Sequence, residues 1–186
     1  WWTKGFFGLH YDLHARKDDT ELGAELTLEH LREQFEKVKP DYVQCDCKGH
    51  PGYTSYPTLI GSPSPGIVKD ALKIHREVTR ELEIPLSVHY SGVWDKRAVE
   101  LHPEWSAIDS EGKPVLDPQG NQGILCLLSP YLDELMIPQL LEIIDLYDVD
   151  GFWVDGDGWA VSDCYCERCR EEFSKRTGIK APPADS

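Results

Sequence analysis

Residues 149–169, VDGFWVDGDGWAVSDCYCERC, concentrate side chains that can do chemistry: four aspartates, two tryptophans and three cysteines. Aspartate carboxylates can act as nucleophiles or as proton donors. Tryptophan rings contact the apolar faces of ligands, and cysteine thiolates bind metal ions. The stretch therefore predicts a catalytic strand end, a metal site, or both.

The three cysteines of this stretch, Cys164, Cys166 and Cys169, follow a C-x-C-x2-C spacing that lets their thiolates converge on one ion. A structural zinc site needs a fourth ligand. The candidates are Cys45, Cys47 and Cys126. Cys126 precedes the helical segment that leads into this stretch, so the chain could bring it near the other three. Cys45 and Cys47 alternate along a predicted strand and are interpreted as small buried hydrophobic residues. The alternative to zinc is a disulfide with free thiols, which an extracellular location would favour.

The segments that must position these residues repeat one pattern four times: an apolar run, a turn-rich loop and an amphipathic helical stretch. The predicted strands are residues 5–13, 41–47, 84–91 and a run that begins at Asp150. The first helix is predicted to begin after an N-cap at Thr27, and others cover residues 67–83, 129–147 and the region after Cys169. Strands that alternate with helices in this way form a parallel sheet, so the predicted fold class is α/β.

A (βα)8 TIM barrel is the expected architecture. No glycine-rich phosphate signature follows the first strand, which argues against a dinucleotide-binding sheet and an organic cofactor. A barrel needs eight units, so residues 1–186 are expected to form the N-terminal half of one catalytic barrel. Residues 95–122 interrupt the third unit, and their turn signals predict a hairpin beside the third strand. The two open sheet edges of a half barrel favour homo-oligomers.

The predicted ligand site lies at the carboxyl ends of the strands, as is general for α/β folds. Histidine, aspartate and aromatic side chains stand there, and these can bind the polar groups and the apolar faces of a ligand. The candidates for substrate contact are His10, Asp12, His50, His89, Tyr90, Trp94, Asp157 and Trp159. His14 and Asp46 also follow strands. Trp153 alternates with Phe152 and Val154 and is expected to face the packed side.

Charge narrows the class of partner. The formal net charge of −14 opposes binding to nucleic acid and to anionic membranes. The chain has neither an apolar run long enough to cross a membrane nor a signal peptide. Together with the predicted zinc thiolates, these features favour a cytoplasmic location.

Two alternative classes of function also fit these residues. His10, Asp12 and His14 stand at period two, so on an extended strand they would share one face and could bind a catalytic metal. The other alternative is a barrel that binds its ligand without converting it. It predicts saturable binding and no turnover.

Three motifs resemble the α-L-fucosidase family of retaining glycoside hydrolases. DGFWVDGDGW resembles the family's fourth-strand segment, which implies that Asp155 is the nucleophile. CKGHPGY resembles the family's Lys-His-His-Asp-Gly-Phe loop and implies sugar contact by His50, while SVHYSGVW resembles a Leu-Tyr-Tyr-Ser…Trp segment. The opening FFGLHYDLH departs from the family, which has a histidine followed by Trp-Gly. This resemblance implies a carbohydrate substrate and a second carboxyl group from a later strand, unless Asp157 serves.

The cysteines carry a second resemblance. CLLSPY followed by CYCERC is similar to the zinc-binding cysteines of microbial β-galactosidases. It implies a structural zinc on Cys126, Cys164, Cys166 and Cys169, and it implies the role of general acid/base for Asp155. The combination of motifs resembles fucosidase-like hypothetical glycoside hydrolases. The expected function is retaining hydrolysis of a terminal glycosidic bond.

Overall fold

The computed structural model describes residues 3–117, 123–156 and 160–181. The strands in these residues are β1 (Gly8–Tyr11), β2 (Tyr42–Lys48), β3 (Tyr53–Thr54), β4 (Ser62–Pro63), β5 (Leu86–Ser91) and β6 (Gly151–Asp155). The α-helices are α1 (Leu28–Val38), α2 (Ala71–Glu81), α3 (Lys96–Leu101), α4 (Ile137–Tyr147) and α5 (Glu167–Thr177). A 3-10 turn spans Pro103–Trp105, and a π-helical turn spans Leu132–Met136.

The sheet joins its four longer strands in parallel and in chain order: β1 beside β2, β2 beside β5, and β5 beside β6. The two shortest strands make the sheet mixed, because β3 pairs with β2 antiparallel. The wholly parallel sheet predicted from the sequence is therefore corrected. The chain reverses after β2, where Gly52 has a φ of 85° and its N–H bonds to the Gly49 carbonyl at 3.0 Å. This tight turn brings β3 back against the end of β2.

The first helix begins and ends as its sequence dictates. The Thr27 side chain caps it by accepting a hydrogen bond from the N–H of His30 at 3.1 Å, which confirms the predicted N-cap. Lys39 ends it in the left-handed conformation, with its N–H bonded to the Phe35 carbonyl. Leu31 and Phe35 are buried against the sheet, but Val38 is 43% exposed.

The hydrophobic core lies between the helices and one face of the sheet. Alternate strand residues Val43, Cys45, Leu86, Val88 and Tyr90 supply the sheet side. Helices α1, α2 and α4 supply the other side through Leu31, Phe35, Leu72, Val78, Ile143 and Tyr147. Because side chains alternate across a strand, the residues between these must point to the opposite face. That face carries the polar residues described below.

The segment predicted as a hairpin, 95–122, begins with a helix, α3, capped by the Asp95 side chain. Isolated antiparallel bridges then join Ser106 to Leu125 and Ile108 to Pro114. The turn predicted by the sequence lies at Gly112, whose φ is 79°, and the Asp109 carboxylate accepts from the N–H groups of Glu111 and Lys113 there. Among the described residues, no helix has the length and apolar character needed to cross a bilayer.

Candidate functional site

The carboxyl ends of the parallel strands bring together a polar cluster on the sheet face opposite the core. The strand register explains the meeting: Asp46 pairs with His89, which pairs in turn with Trp153, and Ser91 pairs with Asp155. The His10 ring lies 6.3 Å from the His89 ring and joins the cluster from β1. Residues far apart in the chain thus share one surface.

His89 links the two carboxylates of this cluster. Its Nδ1 is hydrogen-bonded to Asp46, and its Nε2 lies 3.3 Å from Asp155 Oδ2. Burial acts to lower the pKa of His89, but the hydrogen bonds and charges of Asp46 and Asp155 outweigh it and raise the pKa above its usual value. His89 therefore favours the imidazolium form and donates to both carboxylates.

His50 approaches Asp155 from the loop after β2. Its Nε2 lies 3.5 Å from Asp155 Oδ2, and its Nδ1 lies 2.6 Å from the Ser91 hydroxyl. That hydroxyl donates to the Trp94 carbonyl, so it accepts from His50, which places the proton on Nδ1. Burial lowers the pKa of His50, with the nearby Asp155 carboxylate opposing it. In this neutral form, Nε2 can accept a hydrogen bond from a ligand hydroxyl.

Asp155 ends β6 with its side chain 17% exposed. Its carbonyl accepts from the N–H of Gly92 at 2.5 Å, and Gly156 turns the chain with a φ of 76°. A Cβ on Gly92 would lie 2.9 Å from the Asp155 carbonyl oxygen, so this approach of the β5 and β6 loops requires glycine. The carboxylate is held at the surface of the cluster and can reach a ligand.

Asp12 and His14 lie beyond the end of β1, which stops at Tyr11. His14 Nε2 is 3.2 Å from Asp12 Oδ1 and 3.8 Å from Asp46 Oδ2, whereas the His10 ring packs 5.9 Å from that of Trp153. The alternative in which His10, Asp12 and His14 share one strand face needs a strand that extends to His14, and β1 stops short of that residue. A pocket of about 420 Å³ opens beside His14 and His50.

Two predicted placements are wrong. Tyr90 was predicted to contact substrate, but it is fully buried on the core face and donates to Gln139 at 2.7 Å. Trp153 was predicted to face the packed side, but it is 48% exposed on the polar face, 4.9 Å from the His89 ring. Both follow from strand alternation, since Tyr90 is the neighbour of His89, and Trp153 pairs with His89 in register.

The remaining candidates divide between the cluster and the undescribed residues. Trp94 lies with its ring 5.0 Å from that of His50, which puts it at the edge of the cluster. Asp157 and Trp159 lie outside the described residues.

A buried ion pair that sequence reasoning missed supports the His50 loop. Lys48 and Asp95, each with a side chain 1% exposed, approach to 2.6 Å, and Tyr131 lies 3.1 Å from the same ammonium. Burial acts to lower the pKa of Lys48, but the Asp95 charge outweighs it and raises that pKa. The pair fastens the end of β2, two residues before His50, to the start of α3.

Four cysteines converge as the sequence predicts. Sγ of Cys126 lies 3.7 Å from that of Cys166 and 3.4 Å from that of Cys169, and all four thiols lie within 4.8 Å of one another. Ligands of a tetrahedral Zn–S₄ site stand about 3.8 Å apart, so this set could hold zinc. The interaction with the Cys126 side chain lowers the pKa of Cys164, which favours a thiolate there. All six cysteines of the chain are free of disulfides, and burial raises the pKa of Cys45 and of Cys47.

Residues 27–156, well over half of the chain, match the family model described as hypothetical glycosyl hydrolase 6. The chain belongs to the hypothetical glycosyl hydrolase 6 family. Among curated proteins, none matches the sequence. The match to hypothetical glycosyl hydrolase 6 runs from α1 to just past β6 and so contains Asp46, His50, His89 and Asp155, while His10 and three of the clustered cysteines lie outside it.

Solved structures share the fold of this hypothetical glycosyl hydrolase 6 chain. α-L-Fucosidase isoenzyme 2 from Paenibacillus thiaminolyticus is 22% identical with a TM-score of 0.80, over 94% of this chain and 26% of that one. The α-fucosidase of Thermotoga maritima is 20% identical with a TM-score of 0.52, over 83% and 32%. A noncanonic maltogenic α-amylase, AmyB, from Thermotoga neapolitana is 17% identical with a TM-score of 0.54, over 92% and 43%. The chain thus spans less than half the length of each.

Proposed function

We propose that this chain carries the nucleophile of a retaining, α-L-fucosidase-like glycoside hydrolase, and that the nucleophile is Asp155. The observation that carries the proposal is the position of Asp155 at a strand end, where Nε2 atoms of His89 and His50 lie 3.3 and 3.5 Å from its Oδ2. Membership of a glycosyl hydrolase family supports the class of reaction. The fold shared with fucosidases supports the barrel architecture, and the resemblance of three motifs to α-L-fucosidases supports the sugar.

In the proposed mechanism, Asp155 attacks the anomeric carbon while the bond to the leaving oxygen breaks. A second carboxyl group, about 5–5.5 Å away, protonates that oxygen and then activates the water that releases the sugar. We assign this second group to a later strand of the complete protein. His89 orients Asp155 through a hydrogen bond, which suits a nucleophile.

Sugar recognition falls to the side chains around Asp155. His50 Nε2 is a hydrogen-bond acceptor for a sugar hydroxyl, and His10 and Asp12 offer further polar contacts. The exposed face of Trp153 and the ring of Trp94 suit the apolar C–H patches of a sugar. Trp153 replaces Tyr90 in this set, because Tyr90 is buried on the core face.

We propose that the chain forms the N-terminal half of a (βα)8 barrel, with residues 95–122 as an insertion after the third barrel strand. The order β1, β2, β5, β6, parallel and interleaved with helices, supports this architecture. Outer edges of β1 and β6 would then pair with strands of the second half. As an isolated fragment, the chain is expected to self-associate through those edges.

We propose a structural zinc on Cys126, Cys164, Cys166 and Cys169. The convergence of four thiols supports it. The ion would fasten the segment between β6 and α5 to the end of the insertion. Because Asp155 ends β6, this fastening steadies the loop that follows the nucleophile.

A β-galactosidase-like hydrolase, with Asp155 as general acid/base, is the second candidate. The observation that favours it is the cysteine cluster, whose sequence resembles that of zinc-containing β-galactosidases. The two candidates assign different chemistry to the same carboxylate.

Azide rescue separates these roles. The complete protein with Asp155→Gly is assayed on aryl α-L-fucoside and aryl β-galactoside, with and without azide. An adduct of inverted anomeric configuration identifies a nucleophile, and one of retained configuration identifies the acid/base. Asp148→Gly, at an exposed position with a φ of 50° that suits glycine, lies before the start of β6 and away from the site; it is the matched control and should keep full activity. Sugar binding without turnover in the unmutated protein would instead establish a non-catalytic barrel.

A further inference from the structure

Four metal-binding side chains meet beside the candidate nucleophile: Asp12, His14, Asp46 and His89. We name them the histidine–aspartate cluster. His14, Asp46 and His89 can each offer a ligand atom within 4.8 Å of the others, and Asp12 Oδ1 lies 3.2 Å from His14 Nε2. They come from β2, β5 and the loop after β1, so the folded sheet assembles them.

Asp46 contains a buried oxygen that lacks a hydrogen bond. Its side chain is 0% exposed, and Oδ1 takes the hydrogen bond with His89. Oδ2 has no hydrogen-bond partner among the residues described, and His14 Nε2 lies 3.8 Å away from it. A buried carboxylate oxygen in this state costs about 1–3 kcal/mol or more, which a bound cation would remove.

The spacing of the ligand atoms suits a small divalent ion. Bonds of about 2.0–2.1 Å to histidine and carboxylate ligands place tetrahedral neighbours about 3.4 Å apart. The distances from His14 Nε2 to Asp12 Oδ1 and Asp46 Oδ2, 3.2 and 3.8 Å, bracket that value. Imidazole and carboxylate ligands together suit zinc and neighbouring transition metals.

We propose that the histidine–aspartate cluster binds a divalent transition-metal ion of the zinc type, and that this ion inhibits hydrolysis at Asp155. The site is separate from the cysteine cluster. The inhibitory part rests on the proposed function. A bound ion replaces the Nδ1 proton of His89, bonds to the unpartnered Oδ2 of Asp46, and withdraws Asp12 and His89 from the substrate.

Charge supplies the reason for inhibition. The transition state of glycoside hydrolysis carries positive charge at the anomeric carbon, which Asp155 must approach. A divalent cation on the other side of the His89 ring repels that charge and weakens the attraction of the nucleophile. Binding of metal and hydrolysis of sugar therefore oppose each other.

Calorimetry on the complete protein tests the binding. Zn²⁺ is first added to fill the cysteine cluster, and unbound or weakly bound Zn²⁺ is removed by dialysis. The protein is then titrated with Zn²⁺. We expect one site whose affinity falls more than about tenfold in His14→Gln, because a ligand is lost. His102→Gln, which alters a histidine stacked on Trp105 away from the cluster, should bind like the unmutated protein. Equal titrations of the unmutated protein and His14→Gln would overturn the site.

Kinetics test the inhibition separately. Zn²⁺ should slow glycoside hydrolysis by the unmutated protein. With each rate taken relative to the same protein's metal-free rate, His14→Gln should need more than about ten times more Zn²⁺ for the same fractional inhibition. A rate that rises with Zn²⁺ would overturn the inhibitory role. If no glycoside is hydrolysed, the proposed function fails, and the calorimetric comparison still decides whether the metal site exists.

Discussion

Removing the buried Lys48 charge should be among the most destabilising single changes in this chain. Lys48→Met leaves the Asp95 carboxylate buried without a cation. Asp95 then keeps only the hydrogen bonds that it accepts from the Ala98 N–H at 2.7 Å and from the Tyr131 hydroxyl at 3.4 Å. Loss of one partner from a buried pair costs about 3–5 kcal/mol. That loss shifts the folding equilibrium on the order of a hundred- to several-thousandfold.

Urea denaturation of the complete protein measures this loss, and two variants bracket it. Lys113→Met breaks a pair of the same 2.6 Å length with Glu111, but that pair is 71% and 70% exposed, so it should cost at most about 1 kcal/mol. Lys48→Met with Asp95→Asn removes both buried charges and keeps the helix cap, so it should recover most of the lost stability. A cost for Lys48→Met no larger than that for Lys113→Met would refute the reasoning.

Three further predictions follow from burial and ligand geometry. Atomic absorption measures the zinc that stays bound after dialysis. Cys169→Ser should lose this zinc, whereas Cys45→Ala should keep it. Equal zinc contents in the two variants would contradict the cysteine site. Burial lowers the pKa of His75 below its ordinary 6.5, so its stabilising contribution is present above that value and is lost as pH falls through the lowered pKa. The free energy of unfolding from about pH 7.5 to 5 should therefore fall less steeply in His75→Gln, and parallel curves would exclude His75 as the cause. Phe152→Ala should cost about 2–3 kcal/mol of stability, and Trp153→Ala less than about 1 kcal/mol but with a raised KM; the reverse order would mean that the strand faces are exchanged.

Local sequence signals predicted the elements well. The Thr27 cap, the alternation of strands with helices and the site at the strand ends all depend on neighbouring residues. The alternation of polar and apolar residues along β5 also predicts the face on which Tyr90 lies. Ser87 and His89 share one face, and Val88 and Tyr90 share the other. That signal was present in the sequence, but the prediction for Tyr90 rested on its residue type and its place at a strand end.

Other features depend on contacts that no local pattern specifies. Phe152, Trp153 and Val154 are all apolar, so their run does not reveal which one faces the core until β6 pairs with β5. The proximity of His14 to Asp46 depends on the path that the chain takes after β1, which the local sequence does not specify. Lys48 reads as a loop residue, and its buried state depends on Asp95, which lies far along the chain.

The most direct test of the central claim is the site of covalent labelling by a mechanism-based fluorinated fucosyl inactivator. The complete protein is treated until activity is lost, digested, and analysed by peptide mass spectrometry. The account predicts one glycosylated peptide, with the sugar esterified to Asp155 and no labelling in Asp155→Gly. A sugar attached to another carboxylate, while Asp155 stays unmodified, would contradict the assignment of Asp155 as the nucleophile.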